Sequence, residues 1–314
     1  MSPQRRAEVR VEDPGLAGTR VDTFVSETLG LFSRSQARAR IVEVRVNGAP
    51  ARLGRKLKAG DAVSVVYRDA PAPEASPENI PLSILFENDD VLVVDKPQGM
   101  VVHPGCGNLS GTLVNALLFH CEGIAARFGA GDARPGIVHR LDKETSGVII
   151  VAKNVRAHEH LAAQFQARTV RKRYLAVVRG KLPAESGKVE TRIARDPHDR
   201  KRFACAASGG RIALTHYRLL RSFGEHGLVL LSPRTGRTHQ LRVHMRHLGA
   251  PILGDPVYGR KDPRFPDATL MLHACSLALL LPGEETPRLF TARTPQRFRV
   301  VLRALQSSSP RKGL

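Results

Sequence analysis

No stretch of this 314-residue sequence approaches the roughly 18–20 consecutive apolar residues of a membrane-crossing helix. Its opening, MSPQRRAEVRVEDPG, has basic residues but not the apolar segment of a secretory signal. The expected setting is therefore cytoplasmic, with no membrane partner. Cysteine is scarce: Cys106, Cys121, Cys205 and Cys275 stand far apart and form no C-x-x-C pair. That spacing excludes a zinc ribbon and a dithiol redox motif, and leaves free thiols in a reducing compartment. Neither G-x-x-x-x-G-K-[ST] nor G-x-G-x-x-G occurs, so no nucleotide cofactor is expected. A Ser or Cys nucleophile lacks its context as well, because there is no G-x-S-x-G elbow.

Acidic residues are the remaining shortage. Asp and Glu number 29 against 49 Lys and Arg, a net charge of +20. The surplus is uneven: +6 over residues 1–68, −6 over 69–98 and +20 over 99–314. Such an excess suits a polyanion, and nucleic acid is the commonest one. A merely solvated basic surface is the plainer alternative.

Three pieces are legible along the chain. In residues 16–68, Val21, Phe24, Val25, Thr28 and Leu29 fall at helical spacing, and Ser33 or Ser35 opens a second, Arg-bearing helix. Val44-Arg45-Val46 leads into Asn47-Gly48, a strong hairpin signal, and Lys56–Val66 reads as a further hairpin turning at Gly60-Asp61. Residues 69–80, rich in Pro, Ala and Glu, form a linker. Residues 81–306 read as one large α+β domain, with strands at Val91–Val94, Val148–Val151, Tyr174–Val178 and Leu228–Leu231. Helices are expected near Thr112–Phe119 and Ala157–Gln166. The tail, 307–314, is expected to be disordered.

Two segments carry candidate chemistry. In GIVHRLDKETSGVIIVAKN (136–154) apolar runs at Ile137-Val138 and Val148–Val151 flank a charged loop, a strand–loop–strand pattern. Asp142 there is either an ordinary turn residue or a carboxylate held ionised by Arg140 and Lys143. In SPRTGRTHQLRVHMRHLGAPILGDPVYG (232–259) Thr238 is placed to cap a helix with the apolar stripe Leu241, Met245 and Leu248, ended by Gly249. Arg237 and His239 would stand at its N-terminus, where cations and backbone N–H groups suit phosphate. Arg242 lies one turn further in and needs a partner, for which Asp142 is the candidate by type. His239, His244 and His247 do not have the i, i+4 spacing of a zinc helix, so no metal is expected. Tyr174, behind Arg171, Lys172 and Arg173, is either a half-buried strand tyrosine or an aromatic face for an extruded base. The loop Arg195–Phe203 is either solvated or a phosphate contact.

Taken together and in order, these segments closely resemble the RluA/RluD-type pseudouridine synthases of ribosomal RNA. The matches run from VDKPQGMVVHPG (94–105) and GTLVNALL (111–118) through HRLDKETSG and Tyr174-Leu175-Ala176-Val177-Val178. TGRTHQLRVHMRHLG, GDPVYG and Leu272-His273-Ala274 complete them. Residues 16–68 resemble the S4 RNA-binding domain through Arg20-Val21-Asp22, Ser33–Ala37 and Val46-Asn47-Gly48. The resemblance implies a mixed, largely antiparallel sheet with flanking helices, preceded by a small S4-like domain. It implies an isomerase for uridines in 23S ribosomal RNA, monomeric and without cofactor or metal. By it, Asp142 is the catalytic carboxylate at the ribose C1′, and Tyr174 stacks on the flipped uracil and helps remove the C5 proton. Arg242 pairs with Asp142, and Arg140 fills the space that the uridine leaves. Arg237, His239, Gln240 and Leu272 meet the RNA, Leu272 by packing on the base.

Overall fold

The computed structural model of the chain describes residues 4–29, 31, 41–68, 75–105, 108–128, 134–197, 199 and 202–307. They fall into two compact units, Met1–Glu74 and Ala75–Leu314.

The first unit is a four-stranded antiparallel sheet, β1 (Gln4–Arg10), β2 (Ile41–Val46), β3 (Ala49–Pro50) and β4 (Ala62–Arg68), in the order β1-β4-β2-β3. It begins before residue 16, because β1 pairs with β4 from Gln4↔Arg68 to Arg10↔Ala62. Val21, Phe24 and Val25 are buried as their spacing implies, on one α turn, α1 (Val21–Thr23), running into a wider π turn (Phe24–Thr28). Asn47 and Gly48 both take positive φ, 55° and 78°, and link β2 to β3 by the expected tight hairpin. The second hairpin does not form. Both edges of β4 are taken by β1 and β2, so the backbone of residues 53–61 bonds instead to residues 11–22, with the isolated bridge Arg20↔Lys56 and a turn in which Asp61 accepts from the Lys58 N–H. The helix expected from Ser33 or Ser35 lies outside the described residues.

The second unit holds a ten-stranded sheet. Its strands are β5 (Ile84–Glu87), β6 (Val91–Lys96), β7 (Ser146–Ala152), β8 (Arg171–Arg179), β9 (Ser186–Arg195), β10 (Phe203–Ala206), β11 (Arg211–Phe223), β12 (His226–Pro233), β13 (Leu272–Leu279) and β14 (Arg288–Thr291). The order is β10-β9-β11-β12-β8-β13-β7-β6-β5, with β14 also on β13. Among these pairings one is parallel, β13 with β7 through His273↔Ser146 and Ala274↔Gly147. Helices α2 (Leu113–His120), α3 (Ile124–Phe128), α4 (Val155–Ala167), α5 (Gln240–His247) and α6 (Gln296–Ser307) flank it. The fold is thus α+β with a largely antiparallel sheet.

Alternation along β6 and β7 explains why both run almost wholly apolar. Val91, Val93, Val148 and Ile150 pack on one face with Ala157 and Leu161 of α4. Leu92, Val94, Ile149 and Val151 pack on the other with Leu113 and Leu117 of α2 and Ile124 of α3. A strand covered on both faces must be hydrophobic at every position, and each such side chain contributes about 1.5–3 kcal/mol. Thr112 and Asn115 form a capping box that starts α2, and Asn154 caps α4 by accepting from the Ala157 N–H. The Ile137-Val138 run is not a strand. Ile137 makes a single bridge to Val151, so the segment before the charged loop is held locally, outside the ladder.

Candidate active site

The charged loop leaves the sheet between two glycines whose places no other residue can take. Gly136 has φ 74°, and an added Cβ would strike the Ala152 carbonyl; Gly147 has φ 116° and faces the backbone of Ala274. The close approach at Gly147 is what lets β7 lie parallel beside β13, so the end of the loop is fixed to that strand. Within the loop the Thr145 N–H donates to Asp142 O at 3.0 Å, and Leu141 is buried among Ile149, Val151 and Ala274. From below, the fully buried Lys96 donates to three carbonyls: Pro97 at 2.9 Å, Met100 at 2.8 Å and Lys143 at 3.3 Å. Burial pushes the Lys96 pKa down to about 8, against the charges of Asp142 and Glu144.

Asp142 is thereby presented to a cleft of about 490 Å³ with 22% of its side chain exposed. Arg242 Nη1 lies 3.6 Å from Asp142 Oδ2 and His239 Nε2 lies 4.0 Å from the same oxygen. The expected pairing of Arg242 with Asp142 is therefore present but secondary. Its main partner is the buried Asp255, which accepts from Nε and Nη2 at 2.7 Å each and from the Val257 and Tyr258 N–H groups at 2.9 Å. Burial opposes both charges, yet the pairing raises the Arg242 pKa and lowers that of Asp255. A bidentate fork fixes the guanidinium plane, leaving Nη1 as the face turned to Asp142. Arg242 also lies over the Tyr258 ring, 5.0 Å from its centroid.

His239 is oriented by the same Tyr258. The Phe203 N–H donates to the Tyr258 oxygen at 2.9 Å, and the hydroxyl lies 2.8 Å from His239 Nδ1. If the hydroxyl donates to Nδ1, the ring proton is on Nε2, the nitrogen nearer Asp142. Burial lowers the His239 pKa, with Asp142 pulling the other way, and the net shift favours the neutral ring. His239, at φ 55°, is also the residue before α5, and no side chain caps that end; the expected cap by Thr238 does not form.

The strands bring the remaining groups together. Leu272 pairs with Ala176 across β13 and β8, and Tyr174, two residues on, shares the face of Ala176. Both line the cleft with Arg140, Arg237, His239, Gln240 and Arg242. Burial first, and then the Asp142 charge, raises the Tyr174 pKa and keeps its phenol neutral. Gln240 needs a correction. It is buried and takes Thr235 Oγ1 and the Arg237 N–H at Oε1, while Nε2 donates to Leu214 O and Thr215 Oγ1. With those bonds made it braces the 235–237 turn and has nothing left for RNA. His244 likewise braces, between Thr215 Oγ1 at 2.9 Å and Thr191 Oγ1 at 3.1 Å.

Asp142 is the one carboxylate among the described residues that line the cleft. Sequence reasoning missed Asp255, Tyr258 and Lys96, although GDPVYG and VDKPQG contain them. Nothing local marks their partners, which stand 13, 19 and 47 positions away at Arg242, His239 and Lys143. Among the described residues Glu87, His120 and Cys121 bring three donor atoms within 4.8 Å of one another, outside the cleft, with Lys153 Nζ at 2.8 Å from Glu87 Oε1.

Comparison with known proteins meets this geometry. Residues 90–247 match the model of the RNA pseudouridylate synthase family. The chain is 42% identical over 289 residues to ribosomal large subunit pseudouridine synthase D of Borreliella burgdorferi, covering 90% of this chain and 88% of that one. It is also 42% identical over 309 residues to the protein of the same name from Xanthomonas campestris pv. campestris, covering 94% and 91%. Among solved structures, human RNA pseudouridylate synthase domain containing 4 superposes with a TM-score of 0.57 at 27% identity, over 71% of this chain and 93% of that one. The matched segment spans the loop of Asp142, Tyr174 and the helix of Arg242, and with similarity of this extent the chain belongs to the RNA pseudouridylate synthase family.

Proposed function

We propose that the protein isomerises uridines of large-subunit ribosomal RNA to pseudouridine, with Asp142 as the catalytic carboxylate. The observation that carries the reading is that Asp142 stands as the single carboxylate among the described residues lining the cleft, with Arg140, Arg237, His239 and Arg242 in the same lining. A hydrolytic glycosidase needs two carboxyl groups at a set separation, one of them to manage a water. An isomerase consumes no water. The N1–C1′ bond breaks, uracil leaves with the bonding pair, and Asp142 stabilises or traps C1′. The base then turns, C5 bonds to C1′ as Asp142 is released, the proton on C5 departs and N1 gains one.

In this reading Tyr174 and Leu272 flank the flipped base. A neutral phenol can accept the C5 proton only as it gives up its own, and Asp142, whose charge acts on Tyr174, is the carboxylate to receive it and to pass it to N1 or solvent, which restores the ionised form. Arg242, steadied by Asp255, holds Asp142 in place, and the neutral His239 donates toward the same oxygen. Arg140, exposed at the cleft, takes the gap in the RNA stack. Base flipping costs a few kcal/mol, least in loops, and phosphate contacts by the basic surface offset it. The first unit, +6 over residues 1–68, is assigned to RNA binding as an S4-like domain. The large-subunit substrate is supported by the names of the Borreliella and Xanthomonas relatives. Mapping pseudouridines in ribosomal RNA from cells lacking this protein tests the assignment. Sites missing there and restored by the wild-type gene are expected; an unchanged map would overturn it.

A further inference from the structure

The cleft is larger than one base needs, and its lining carries cations that form no ion pair with a carboxylate among the described residues. A six-membered ring of uracil size displaces on the order of four waters, about 120 Å³ at about 30 Å³ each, against a cleft of about 490 Å³. The same lining carries Arg168, which follows α4, and Arg237, in the turn before α5. Arg237 Nε donates to the Ile212 carbonyl at 3.1 Å, which lays its side chain along the start of β11 beside Arg211. Burial, and then the charges of Arg168 and Arg211, lower the Arg237 pKa, so both of the other cations act on Arg237. Among the described residues none of the three forms an ion pair with a carboxylate. Arg168 is in addition held at φ 60°, a conformation that glycine adopts without penalty and arginine does not. Like charges from two other segments thus bear on Arg237, and an anion placed there would relieve them.

Resting on the isomerase reading, we propose that Arg168, Arg211 and Arg237 form a subsite for one backbone phosphodiester of the RNA, that of a nucleotide adjoining the flipped uridine. Guanidinium forks match phosphate oxygens, and a grip outside the base pocket fixes the register in which the strand delivers its uridine. Such a contact binds ground state and transition state alike, so it appears in KM and affinity and leaves kcat in place.

The test uses the full chain and a hairpin RNA, selected by conversion of its uridine or, if none is converted, by affinity. A neutral methylphosphonate replaces each phosphate flanking the target in turn. For wild-type protein one position is expected to lose about tenfold or more in affinity and to raise KM. R168A/R211A should lose a similar factor on unmodified RNA, show a shallower salt dependence by about one or two phosphate contacts, and lose nothing further at that position. R168K/R211K should recover part of the affinity if charge is what matters. The proposal is overturned if the neutral linkage penalises R168A/R211A as much as wild type, or if that variant binds unmodified RNA like wild type. Absence of conversion by wild type would instead sink the isomerase reading, with the binding arm still deciding on the phosphate.

Discussion

Asp255→Asn is the perturbation that separates this arrangement from a simple Asp142–Arg242 pair. The amide matches the carboxylate in shape, and its oxygen can keep the bonds that Oδ1 makes to Arg242 Nη2 and to the Val257 and Tyr258 N–H groups. Its NH2 then opposes the Arg242 Nε–H, donor against donor, where Oδ2 now accepts at 2.7 Å. Arg242, 5% exposed, is left as a buried cation with only Asp142 near it. Removing one partner of a buried pair costs about 3–5 kcal/mol, and the lower figure applies because Asp142 compensates in part. At about 2–4 °C per kcal/mol for a unit of this size, the main melting transition should fall by about 6–12 °C. The freed guanidinium turns onto Asp142 and draws the carboxylate off line, and a shift of about 1 Å in a reacting group costs on the order of 100-fold in rate. Calorimetry and single-turnover conversion of uridine, with RNA affinity as control, measure all three quantities. Melting and turnover both equal to wild type would refute the role given to Asp255.

Two further outcomes follow from the same geometry. Tyr174→Phe keeps an aromatic face but cannot relay a proton, so RNA affinity should stay within about threefold while product formation falls by about 100-fold or more, a typical general-base contribution; unchanged turnover would remove the relay. Acid stability tests the buried histidines: His244 and His273 are fully buried, and burial pushes both pKa values down from 6.5 to about 4. Between pH 6.5 and 4 the unfolded chain takes up protons that the fold refuses, so stability is complete above pH 6.5 and is lost as pH falls through that window. The loss is at most about 3 kcal/mol for each ring. Melting temperatures across pH 4–7 should fall toward acid, and the double Gln variant should show a shallower slope; an equal slope contradicts the assignment.

What the sequence made legible is a set of groups that line the cleft. Asp142, Tyr174, Arg242 and Leu272, each in a short segment that carries the family resemblance, meet there. What it hid is the support beneath them. Lys96 reads as an ordinary charged residue ending an apolar strand, and its burial follows only from three carbonyls that turn inward around it. Asp255 reads as a turn residue in a Gly-Asp-Pro sequence, and its partner is fixed by packing across 13 positions. The missing second hairpin of the first unit has the same origin, since residues 4–10 claim the strand edge that 56–60 would have used. Composition and spacing reported what each segment is, and tertiary pairing decided what it touches.

The central claim is that one ionised carboxylate does the chemistry. Asp142→Asn keeps shape and hydrogen bonding while removing the charge, and the decisive measurement is pseudouridine formation by the purified variant on a ribosomal RNA transcript that the wild type converts. The account predicts wild-type folding and RNA binding with no detectable product over many wild-type turnovers. Substantial conversion by the variant would contradict it.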